Sequence, residues 1–178
     1  SEWRERYKKP VVLDEICYEG NIEYGWGNIS GQELVRRFWE ATCRGGYAGH
    51  GETFLHPEDI LWWSHGGDLH GESPERLRFL YQILHETPGH GLKQHFLSWD
   101  SVTGVPESPA HQGAYYLDYY GFYRPGFRGF YFDDNTRYQV EVIDTWNMTI
   151  ADAGIHQGRF TIELPGREYM AIRIRKLK

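Results

Sequence analysis

The hydrophobic period changes partway along the chain, and this change restricts the fold more than any other feature. In residues 113–178 apolar side chains recur at every second position. Tyr138, Val140 and Val142 alternate with Gln139 and Glu141. Phe160, Ile162 and Leu164 alternate with Arg159, Thr161 and Glu163, and Met170, Ile172 and Ile174 with Ala171, Arg173 and Arg175. A period of two belongs to half-buried antiparallel strands. Turn signals at Arg124-Pro125-Gly126, Asp133-Asp134-Asn135, Asp152-Ala153-Gly154 and Leu164-Pro165-Gly166 separate the runs. These residues predict an all-β antiparallel domain, most simply a sandwich.

Residues 1–96 follow another pattern. Lys9-Pro10-Val11-Val12-Leu13 starts an apolar run of the kind found in strands buried on both faces. A glycine-rich loop spans Tyr18 to Ile29. Ser30-Gly31-Gln32-Glu33 fits a capping box, and Leu34, Val35, Phe38, Trp39 and Thr42 follow at helical spacing. The spacing predicts a helix to about Arg44, ended by Gly45-Gly46. A short strand over Tyr47–Glu52 and a long loop from Thr53 to Glu72 come next. Ser73-Pro74-Glu75 opens a second helix with Leu77, Leu80, Tyr81 and Leu84 on one face, stopped by Thr87-Pro88-Gly89. Strand, loop and helix thus occur twice, an α/β pattern with a parallel strand pair. Residues 97–112 read as a connection, with no regular pattern from His90 to Gln112. Two such units leave open edges and faces. Either they belong to a larger α/β sheet or barrel, or they pack closely on the β-domain.

Composition excludes several classes of function. Lysine and arginine number 19 against 25 aspartates and glutamates, a net charge of −6, and no basic run occurs. This argues against a nucleic-acid partner. No apolar stretch approaches the roughly 18 residues of a membrane-spanning helix, so no membrane partner is expected. Cys17 and Cys43 cannot form a disulfide scaffold. The compartment stays open, with the cytoplasm slightly favoured over export. Aromatic residues make up 16% of the chain, more than a core of this size calls for.

Candidate chemistry gathers at two places. Asp14-Glu15-Ile16-Cys17-Tyr18-Glu19-Gly20 follows the first strand. A carboxylate where a strand opens into a cleft suits nucleophilic or acid–base work, and equally suits capping a backbone or pairing with arginine. The second is Gly49-His50-Gly51-Glu52 together with Trp62-Trp63-Ser64-His65. Tryptophans on a loop can stack on the C–H face of a sugar ring, or can plug an interface. His50, His56, His65 and His70 invite a metal. No Pro-Cys-x-x-Cys follows His50-Gly51-Glu52, however, and no His-Glu-x-x-His is present, so no metal site is assigned. Glu15 and Glu19 beside Cys17 disfavour a thiolate there.

Pro10-Val11-Val12-Leu13-Asp14-Glu15, ending a strand before an aromatic loop, resembles the seventh-strand motif of clan A (β/α)8 glycoside hydrolases. Its continuation, Cys17-Tyr18-Glu19-Gly20, is similar to a bacterial apiosidase-like branch in which a small β-domain follows the barrel. The resemblance implies an α/β fragment over 1–96, the last two βα units of a TIM-type barrel, joined by 97–112 to an all-β sandwich over 113–178. It implies hydrolysis of glycosidic bonds, retaining, with no cofactor. Glu15 matches the nucleophile, with Glu19 as fallback. Tyr18, His50, Glu52, Trp62 and Trp63 would then shape the sugar subsite. No position matches the acid/base residue, so the fragment alone is expected to be inactive. Its partners would be the carbohydrate and the missing N-terminal barrel portion, with a homo-oligomer covering the open barrel edge as an option. A second reading is a non-catalytic carbohydrate-binding or interaction module that uses Tyr115, Tyr116, Tyr119, Tyr120, Tyr123 and Tyr131. The same tyrosines also suit a core.

Overall fold

The computed structural model describes residues 1–55 and 67–178. In chain order its elements begin with helix α1 (Glu2–Tyr7), strands β1 (Val12–Leu13) and β2 (Glu19–Gly20), and helix α2 (Gly31–Cys43). Strands β3 (Tyr47–Ala48) and β4 (Glu52–Thr53) lead to helix α3 (Ser73–His85). Strands β5 (Leu92–Leu97), β6 (Val102–Pro106), β7 (Tyr115–Tyr119) and β8 (Phe127–Tyr131) follow. The last are β9 (Tyr138–Asp144), β10 (Thr149–His156), β11 (Arg159–Glu163) and β12 (Met170–Lys176).

Helices α2 and α3 form where capping and spacing place them. The Glu33 N–H donates to Ser30 Oγ at 3.2 Å, which satisfies one orphan donor of α2. The Glu33 carboxylate accepts from Arg36 and Arg37. Pro74 sits in the first turn of α3, where its missing N–H costs no helical bond.

Strands β10-β9-β12-β7-β6-β5 form, in that order, a six-stranded sheet whose neighbours all run antiparallel. Helices α2 and α3 cover one face. There Val35, Trp39, Cys43, Leu80 and Ile83 pack on Leu92, Val102, Tyr115, Leu117, Tyr119 and Ile143. Trp39 stacks on Tyr119 with ring centroids 5.3 Å apart. The antiparallel ribbon β8–β11 covers part of the other face, where Ile162 and Leu164 meet Tyr138, Val140, Ile172 and Ile174. The order is thus helix layer, sheet, ribbon. Strand β12 lies between the two covers and is buried on both faces over its first five residues. The half-buried reading of that strand is corrected here: Arg173 points to the helix side, 2% exposed, and pairs with Glu141 and Glu86.

The expected fold class is overturned. Among the described residues parallel pairing amounts to β1 with β3 and β2 with β4, two residues in each strand, and an isolated bridge between Glu19 and Ile29. No TIM-barrel βα repeat is formed among the described residues, and the sheet is not closed. The two-residue parallel pairs offer the helices no broad face to cover. They bury their apolar stripes on the antiparallel sheet, so both halves of the chain share one core. Residues 92–97 and 102–106, read as irregular, are strands of that sheet. A bulge between Gln94 and Phe96 breaks the alternation of β5, and all five positions of β6 are buried, so neither carries a period of two. The tyrosines divide: Tyr115, Tyr119 and Tyr120 are core, whereas Tyr123 and Tyr131 are exposed.

Candidate functional site

The segment after β1 runs past the N-terminal half of α2. Its Leu13 carbonyl accepts from the Gly49 N–H at 3.0 Å, which continues the β1–β3 pairing. The Ile16 carbonyl accepts from Arg37 Nη1 at 2.6 Å. Arg37 is itself held by Glu33, so α2 fixes the path of the loop. Cys17 takes a positive φ of 66°, and the chain then enters β2. Asp14 and Glu15 are exposed, and Cys17 and Tyr18 are half-buried.

Tyr18 stands at one end of an aromatic group centred on Trp26. Its ring meets Trp26 edge-on at 6.0 Å, and Trp26 stacks on Tyr24 at 6.0 Å with planes 8° apart. Burial raises the Tyr18 phenol above its ordinary value, and the nearby charges of Glu15, Cys17 and Asp14 push the same way. Glycine at 51 lets the second segment approach, since a Cβ there would lie 2.8 Å from the Tyr18 ring. Tyr24 and Trp26 were not singled out in the sequence. Two aromatics in a glycine-rich loop, one residue apart, were the available signal.

Glu19 and Glu52 are opposite each other in the β2–β4 pair, and both are buried. Glu19 accepts from the backbone N–H groups of Glu72 and Ser73 at 2.7 and 2.9 Å. Glu52 Oε2 accepts from those of His70 and Gly71 at 2.7 and 2.9 Å. These donors lie at and just before the first turn of α3, where a helix leaves N–H groups unpaired and favours negative charge. Among the described residues Glu52 Oε1 has no hydrogen-bond partner, and His50 Nε2 stands 3.9 Å away. His50 Nε2 also lies 3.1 Å from Ser73 Oγ. Burial lowers the His50 imidazole below its ordinary value, against Glu52 and Glu19, which raise it.

The structure therefore brings Glu15, Tyr18, His50 and Glu52 into one region. Glu15 is exposed, Tyr18 and the His50 side chain are half-buried, and the Glu52 carboxylate faces the backbone of residues 70–71. Trp62 and Trp63, with His56 and His65, lie outside the described residues. Among the described residues no group of three or more His, Cys, Asp or Glu is arranged to hold a metal ion.

The family model of a domain of unknown function (DUF5605) matches residues 99–175. No curated protein matches the chain. Among solved structures, a proposed glycoside hydrolase of Bacteroides vulgatus is 29% identical with a TM-score of 0.84, over 99% of this chain and 38% of that one. A family 5 glycoside hydrolase of Bacteroides vulgatus is 10% identical with a TM-score of 0.64, over 98% and 44% of the two chains. A further glycoside hydrolase, also 10% identical, has a TM-score of 0.65 over 94% and 42%. The last two show likeness of fold alone. The structural neighbours of this chain are thus glycoside hydrolases, and it spans less than half the length of each of these three.

Proposed function

We propose that this chain is part of a longer glycoside hydrolase and that Glu15 supplies its nucleophilic carboxylate. One contrast carries the reading. Glu19 and Glu52 are buried and committed to backbone N–H groups, whereas Glu15 is exposed beside the Tyr18 ring. A nucleophile must reach an anomeric carbon, and of the three glutamates only Glu15 presents its oxygens outward. The 29% identity to the proposed glycoside hydrolase supports the class of reaction. The Cys17-Tyr18-Glu19-Gly20 stretch favours the apiosidase-like branch.

In a retaining reaction the Glu15 carboxylate attacks the anomeric carbon, the bond to the leaving oxygen breaks, and a glycosyl ester forms. A second carboxyl, about 5–5.5 Å from the first, protonates the leaving oxygen and then activates the water that cleaves the ester. We place that acid/base group outside this chain. Tyr18, with Trp26 against its ring and Tyr24 stacked on Trp26, offers a stacking wall for the sugar. His50 contributes a hydrogen bond, and Glu52 holds His50 and the 70–71 backbone in position. Residues 1–96 carry the site, and residues 113–178 support it through the shared core.

The test is kcat on a panel of aryl glycosides, measured with the full-length protein. Glu15→Ala is expected to reduce kcat by several orders of magnitude while sugar binding persists. Near-normal turnover in Glu15→Ala, with loss in Glu19→Gln, would move the role to Glu19. Normal turnover in both would sink the assignment. Turnover by the 178-residue chain alone would refute an acid/base group outside it.

A further inference from the structure

The ribbon β8–β11 covers only part of its face of the sheet. It lies over β9 and β12, where the face is apolar, with Val140, Ile172 and Ile174 beneath Phe160 and Ile162. Beside it, toward β7, β6 and β5, the same face is left open as a cleft of about 470 Å³. This volume falls within the range of about 300–1,000 Å³ typical of small-molecule sites. The composition changes where the cover ends. Tyr116, Thr103 and Asp118 line the open part, with Arg128 and Tyr131 on the ribbon side and Phe96 and Asp100 on the β5–β6 side.

The polar groups are ordered. Thr103 Oγ1 donates to Asp118, and the Tyr120 hydroxyl donates to the same carboxylate at 3.2 Å. Arg128 pairs with Asp100, which also accepts from Ser98 Oγ at 2.9 Å. Its guanidinium lies 4.9 Å from the centre of the Tyr120 ring. Asp118 is half-buried, and burial holds its carboxyl above its ordinary value. A sheet face that needed only closure would be apolar, because an apolar cover avoids the cost of desolvating a carboxylate. A protein partner would likewise call for an apolar centre. Ordered acceptors and donors between exposed aromatic rings match another chemistry. Sugar rings offer hydroxyls to the first and C–H faces to the second. Arg128 is already paired with Asp100, and among the described residues no other Lys or Arg lines the cleft, so an acidic sugar is disfavoured.

We propose that this cleft is a second carbohydrate-binding site, on the sheet face opposite α2 and α3, that takes a neutral oligosaccharide. It is separate from the Glu15 loop and does not depend on the role given to Glu15. The test is amide chemical-shift mapping of the 178-residue chain titrated with neutral oligosaccharides of glucose, xylose, mannose and arabinose. The expected result is saturable shifts at Phe96, Thr103, Asp118, Arg128 and Tyr131 with at least one sugar. Tyr131→Ala, at a position 80% exposed, should keep the fold and weaken that binding about tenfold. Asp118→Asn should weaken it as well. Saturable shifts confined to residues 14–26 and 47–55 would place the sugar at the Glu15 loop and overturn the second site. Absence of saturable shifts with every sugar would also overturn it, whatever the outcome at Glu15.

Discussion

Glu19 and Glu52 face each other across the β2–β4 pair, and together they accept four backbone N–H bonds from residues 70–73. Two acidic side chains are tolerated at such short range because the start of α3 supplies donors to both. In return, the first turn of α3 receives acceptors that its own Glu72 and Ser73 side chains do not provide. The pair fastens the helix to the strands that carry the candidate site.

Glu19→Ala removes the acceptor for Ser73, whose N–H is buried, and is expected to destabilise the chain by about 1–3 kcal/mol. Glu15→Ala, at an exposed position, should stay within about 0.5 kcal/mol of the parent. Urea midpoints of the two variants measure the contrast. Equal values would mean that Glu19 does not cap α3.

Gly71 lies against both carboxylates, and a Cβ there would overlap Glu19 Oε2 and come within 2.7 Å of Glu52 Oε1. Gly71→Ala should therefore cost about 1–3 kcal/mol through overpacking. At Gly126 nothing lies within 4 Å of an added Cβ, so Gly126→Ala should change stability by no more than about 0.5 kcal/mol. Thermal or urea unfolding of both variants decides the point.

His50 gives stability a dependence on pH. Its imidazole is held below its ordinary value of about 6.5, mainly by burial. Between that lowered value and about 6.5 the unfolded chain binds the proton more readily, so stability falls as pH falls through this window. Its contribution is fully present above the window and levels off below the folded value. The slope for this one group cannot exceed about 1.4 kcal/mol per pH unit. Unfolding curves across the window should be steeper in pH for the parent than for His50→Gln, and parallel curves would exclude the effect.

Arg173 is buried in β12 and donates to Glu141 and Glu86 at 2.6 Å each. Arg173→Met leaves the largely buried Glu141 with Arg175 as its remaining partner and should cost about 3–5 kcal/mol. Arg173→Met combined with Glu141→Leu should recover part of that loss, because an apolar pair of similar size removes both desolvation costs. A double-mutant cycle by urea denaturation reports the coupling.

Local chemistry was legible in the sequence. Ser30 and Pro74 mark where α2 and α3 begin, and the period of two in β9 and β11 shows in their residues, because each depends on neighbours a few positions away. Partnership was not legible. The helix stripes specify an apolar surface to cover but not which surface, and only the assembled core shows that it is the antiparallel sheet. Arg173 alternates like a solvent-facing residue, yet two layers close over β12 and bury it. Glu15 and Glu19 read alike as carboxylates near a strand end. Tertiary structure separates them: the start of α3 folds onto Glu19 and supplies its donors, and Glu15 stays exposed. Hydrophobic period is a short-range property of the chain, whereas burial and pairing are decided by residues brought together from far along it.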